Sequence, residues 1–139
     1  MVSTDTGKVR LRVVDNHYLH AEIYTDGEIV EQDIAPVTRF LDQFDAPVPA
    51  LIERTGLYAI SVLVQIAMMR QTKRRLKAAA FIERNHTDVV LTRIAASTYF
   101  RDVAVKSFYD REEAVEWLSQ FFSEAPLIAD PGAGPKTQP

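Results

Sequence analysis

An α/β fold follows from three features of this sequence. Short apolar runs at residues 48–52, 76–82 and 103–108 read as buried strands. Apolar residues at helical spacing fill the intervals between and after them. Two alternating segments, residues 8–14 and 18–24, come first and read as a hairpin. The predicted arrangement is a two-layer sandwich. It is a mixed sheet with an antiparallel N-terminal hairpin, followed by three parallel strands with connecting helices.

Residues 1–7 are small and polar and are expected to form a flexible leader. In the first strand Val9, Leu11 and Val13 face one way and Lys8, Arg10 and Arg12 the other. Asp15-Asn16 marks the turn, and Leu19, Ala21 and Ile23 continue the alternation. Asp33 is the expected N-cap of a helix reaching Phe44, with Pro36 in its first turn, where a missing N–H costs little. Pro47 and Pro49 close that helix and lead into Ala50-Leu51-Ile52. The next helix is expected over residues 57–72 and is apolar on nearly every side at its start, so it is expected to pack twice or against a second subunit. Asp88 is expected to open a helix reaching Tyr99. In the last helix Asp110 and Glu113 stand at capping-box spacing, and Ala114, Trp117, Leu118, Phe121 and Phe122 make one apolar face. Beyond Ser123, four prolines and two glycines predict a disordered tail over residues 123–139. Residues 8–122 then form a single domain.

Composition narrows the function classes. At 139 residues the chain is long enough to bury a core without staples. A net charge of −3 suits neither nucleic acid nor an anionic membrane, and the basic cluster Arg70, Lys73, Arg74, Arg75 and Lys77 complements a helix C-terminus. Zero cysteines remove disulfides, thiolate metal sites and a sulfur nucleophile, and fit a cytoplasmic protein. The longest apolar run is too short for a transmembrane segment. Five scattered glycines form no phosphate-binding loop. His17 and His20 fall on opposite faces of a strand, which is poor geometry for a metal, and His86 stands alone in a loop. No cofactor and no catalytic group can be assembled, so an enzyme is not expected.

The order of elements resembles the STAS-like fold of the anti-sigma-factor antagonists, which also occurs in many small uncharacterised bacterial proteins. Ile52-Glu53-Arg54-Thr55-Gly56-Leu57 is similar to the Asp-Ser-Ser-Gly-Leu stretch those antagonists carry between a strand and a helix. Val103 to Phe108, leading into Glu113-Ala114-Val115-Glu116-Trp117-Leu118, is similar to the ending of the small members. The resemblance implies a regulatory or protein-interaction module acting through Glu53, Arg54, Thr55, Gly56 and Leu57. Glu53 takes the acidic position, Arg54 replaces the serine phosphorylated in the antagonists, and Thr55 stands as a displaced acceptor.

Two further sites are expected. Arg54, Arg84, His86 and Arg111 fall near strand ends and would gather at one sheet edge as an anion site, unless the arginines pair with Glu53, Glu83 and Asp110. Tyr58, Leu63, Ile66 and Met69 offer apolar surface for a homodimer or for a pocket. The competing function is therefore a carrier of a small lipid-like anionic molecule, with Arg54 or Arg84 at its head. At the strand-to-helix junction, the plainer reading makes Thr55 an N-cap and Gly56 a tight turn.

Overall fold

The computed structural model describes residues 2–128. A six-stranded sheet runs in the order β1-β2-β3-β5-β7-β8, from β1 (Ser3–Asp5), β2 (Val9–Val14), β3 (Tyr18–Ile23), β5 (Val48–Arg54), β7 (Leu76–Ile82) and β8 (Ala104–Phe108). Strands β1 to β3 pair antiparallel, whereas β3, β5, β7 and β8 are mutually parallel. The strands ending near residues 53, 83 and 108 therefore lie side by side, as the apolar runs predicted. A separate parallel ribbon joins β4 (Glu28–Ile29) to β6 (Ala59–Ile60).

The helices are α1 (Ile34–Leu41), α2 (Val62–Arg75), α3 (His86–Ser97) and α4 (Arg111–Ser119). α1, α2 and α3 each connect parallel neighbours stepping the same way, and right-handed crossovers put all three on one face. There Phe40, Leu41, Ala95 and Met68 meet Leu11, Leu19, Ile52 and Phe81. α4 follows the last strand and folds back over the other face, where Ala114 and Leu118 meet Leu51, Ala78 and Ala80. The expected helical layer is thus joined by one helix across the sheet.

Several boundaries differ from expectation, each for a reason visible in the hydrogen bonding. Residues 3–5 are not a free leader: β1 satisfies the edge of β2, and Asp5 accepts hydrogen bonds from Tyr24 Oη at 2.6 Å and Gly7 N at 2.9 Å. Asp15 and Asn16 both take positive φ, 52° and 57°, which the hairpin turn requires. Asp33 lies at the end of a single 3₁₀ turn (Glu31–Asp33), and its carboxylate reaches back to Val30 N rather than forward into α1. Asn85, not Asp88, caps α3, accepting from Asp88 N at 3.0 Å. Asp110 caps α4 as expected, accepting from Glu113 N. Residues 127 and 128, expected in a disordered tail, dock on the hairpin turn: Leu127 N donates to Asn16 O, and Asn16's amide pairs both ways with the Ile128 backbone. The rest of the expected tail, residues 129–139, lies outside the described residues.

Candidate functional site

Alternation along β5 decides where its polar end residues go. Ala50, Ile52 and Arg54 point to the α1–α3 face, and Leu51 and Glu53 to the α4 face. Arg54 is consequently interior, only 2% exposed. Its Nη1 donates to Glu83 Oε1 and Thr92 Oγ1, both at 2.9 Å, and its Nε to Tyr58 Oη at 3.0 Å. The guanidinium also lies 4.7 Å over the Phe81 ring. Glu83 accepts a second bond from Ser107 Oγ at 2.6 Å. This buried pair ties β5, β7, α3 and β8 together.

On the other face Glu53 Oε1 accepts from Arg111 Nη2 at 2.9 Å and lies 3.0 Å from His20 Nε2. Burial pushes the His20 imidazole below its ordinary value, and the Glu53 carboxylate partly opposes that. Arg84 holds Asp88 through its backbone N, Nε and Nη2. Burial works against ionisation of Asp88, yet these bonds keep its carboxyl below the usual range.

Of the two arrangements expected for these arginines, the structure shows the paired one. Arg54, Arg84 and Arg111 each hold a carboxylate, Glu83, Asp88 and Glu53 respectively, so their charge is already met. His86 begins α3, exposed and apart from these pairs. The partners are not the adjacent residues: Arg54 pairs with Glu83 beyond the neighbouring strand β7, because Glu53 points to the other face, Arg84 with Asp88 in the first turn of α3, and Arg111 at the start of α4 with Glu53 of β5.

The junction also changes. α2 begins at Val62, capped by Ser61 Oγ, which accepts from Val64 N at 3.2 Å. Thr55 is not an N-cap; its hydroxyl donates to Glu22 Oε2 at 2.8 Å. Gly56 is needed for close approach: a Cβ there would overlap the carbonyl oxygens of Thr25 and Tyr24. Leu57 N donates to Asp26 Oδ1, so the segment from 55 to 57 is laced onto the end of β3 and the loop after it. Leu57 (76% exposed), Val62 (70%), Leu63 (61%) and Ile66 (46%) then present apolar side chains outward.

Beneath α2 lies a cavity of about 140 Å³ between α1 and the sheet. Its walls include Leu11, Ala21, Val37, Ile52, Met68 and Phe81. Of the four residues expected at a pocket or dimer face, Tyr58 lines this cavity, whereas Leu63 and Ile66 are exposed. Met69 borders a separate hollow beside Lys73 and Asp102. The cavity wall from β2, β3 and α1 had a visible signal, the alternating apolar residues of the hairpin, but nothing in their pattern marks a gap above them.

Among the described residues no helix is long and apolar enough to cross a membrane, and no group of three or more metal-ligating side chains is close enough to hold an ion. No family model matches this sequence, and no curated protein matches it. A solved structure does. It is an uncharacterised protein of the DUF3478 family from Shewanella loihica PV-4, described as having a SpoIIAA-like fold. The two superpose with a TM-score of 0.57 at 22% identity, over 79% of this chain and 91% of that one. The fold is SpoIIAA-like. That is the STAS-like architecture which the order of elements implied, and identity at this level speaks to architecture alone.

Proposed function

We propose that this protein is a non-catalytic STAS-like interaction module, acting through the 53–57 junction and the adjoining start of α2. One observation carries the reading: four large apolar side chains, Leu57, Val62, Leu63 and Ile66, lie exposed within ten residues of chain. Contiguous apolar surface of this kind marks association in soluble proteins. The junction itself is held firm by Gly56 and by the Thr55–Glu22 bond, so it offers a preorganised surface. A second copy of the chain is the partner assigned. Light scattering at micromolar concentration should give a dimer that Leu63→Glu converts to monomer. A monomer throughout would overturn the assignment.

A second reading, a carrier of a small amphipathic molecule, is favoured by the cavity beneath α2. Its polar end cannot be Arg54 or Arg84, whose charges are committed to Glu83 and Asp88.

A further inference from the structure

The cavity beneath α2 has a definite chemistry. At about 140 Å³ it matches the size at which an engineered apolar cavity of about 150 Å³ admits benzene. Its walls are almost wholly hydrocarbon, from Leu11, Val37, Ile52, Met68 and Phe81. The one carboxylate at its border, Asp33, is already bonded to Lys8 Nζ at 2.7 Å and Val30 N at 2.8 Å. The nearby cation, Arg54, is bonded to Glu83, Thr92 and Tyr58. A charged guest would lose its hydration and gain no counter-ion.

Among the described residues, four lining side chains keep a donor proton unspent: Thr38 on α1, Gln71 on α2, and Tyr58 and Tyr99, the two phenols nearest the buried Arg54. Tyr58 Oη accepts from Arg54 Nε, which leaves its own proton unspent. Tyr99 also lines the cavity, and its hydroxyl has no hydrogen-bond partner among the described residues. Burial pushes the Tyr99 hydroxyl up to about 12, so it stays protonated at neutral pH. Thr72, by contrast, has given its proton to Tyr99 O at 2.6 Å.

We infer that the cavity binds a small, neutral, largely apolar molecule of ring size, carrying one oxygen acceptor that Tyr58 and Tyr99 hold by their hydroxyl protons. The inference rests on the carrier reading and replaces its anionic guest by an uncharged one. It does not depend on the apolar surface of Leu63 and Ile66, which faces the other way from the cavity wall.

The test uses three probes of similar shape on the full chain: acetophenone, ethylbenzene and benzoate. Acetophenone should shift the amide resonances of residues around Ile52 and Phe81 and raise the melting temperature. Ethylbenzene should bind more weakly and benzoate not at all. Tyr58→Phe and Tyr99→Phe should each weaken acetophenone about 2- to 10-fold, the range of one hydrogen bond, while leaving ethylbenzene unchanged. Both variants keep the ring, and their circular dichroism confirms the fold; Leu63→Glu should bind acetophenone as the parent does. Benzoate binding without acetophenone binding would overturn the neutral chemistry alone. No binding by any probe would overturn the carrier reading with it.

Discussion

The two faces of the sheet are built to different standards of closure, although the same strands make both. Under α4, Leu51, Ala78, Ala80, Ala114 and Leu118 are wholly excluded from solvent. Alanines at the crossing let the helix backbone settle close to the strands. On the opposite face Phe81, Ile52 and Leu19 stand taller, and α1 spans only Ile34–Leu41 before the chain turns away. The helices are propped off the sheet and about 140 Å³ stays open. An apolar opening of that size between packed layers is space that a small guest molecule can fill.

The polar pairs at the strand ends repeat the contrast, and the largest predicted effect tests it. Arg54→Met leaves Glu83 buried without its cation and should cost about 3–5 kcal/mol in urea unfolding. Adding Glu83→Leu should restore much of the loss, because both charges are then gone. The matching change on the α4 face, Glu53→Gln, should cost under about 1 kcal/mol, since Arg111 stays half-exposed to water. Equal losses from the two single variants would erase the distinction.

Packing gives the next test. Ala80→Leu has no room beneath α4 and should destabilise by about 1–3 kcal/mol. Ala21→Val adds volume into the cavity and should be neutral or stabilise by up to about 1 kcal/mol. Thermal unfolding followed by circular dichroism reads both, and a loss from Ala21→Val as large as that from Ala80→Leu would mean the cavity face is as tightly filled as the other.

The smallest effect concerns His20 on the α4 face. Its folded pKa lies below the ordinary imidazole value of 6.5, with burial as the main cause. Between the two values the unfolded chain binds more protons, so stability falls as pH drops from 6.5 toward the folded value. Glu53→Gln removes the carboxylate that opposes the shift and should move the folded value lower still. Proton NMR of the imidazole follows this directly; a His20 titrating above 6.5 would contradict the burial argument.

The contrast between faces was only half legible in the sequence. Strand order, the hairpin turn at Asp15-Asn16 and the cap at Asp110 are written in local patterns that turn chemistry and periodicity decode. The start of α2 is not. Residues 57–60 are apolar and continue the helical run smoothly, so nothing local announces that Ala59 and Ile60 pair instead with Glu28 and Ile29. Arg54 was placed correctly at a strand end, and of its two expected roles the structure shows the carboxylate pair. Its partner Glu83 comes from just beyond the neighbouring strand, and which face each occupies depends on a register that one strand alone does not reveal. The docking of residues 127 and 128 on Asn16 spans more than a hundred positions and leaves no periodic trace.

The ribbon of β4 and β6 has a consequence for motion. It is two residues long on each side, is anchored by Ala59 N to Gly27 O at 3.2 Å and Ser61 N to Ile29 O at 3.5 Å, and Ile29 and Ile60 both border the interior space. So short a ladder unzips at far lower free energy than the six-stranded sheet beside it. Its amides should exchange with deuterium well before those of β5 and β7, and opening this clasp is the route by which the guest proposed above would come and go without the body of the protein loosening.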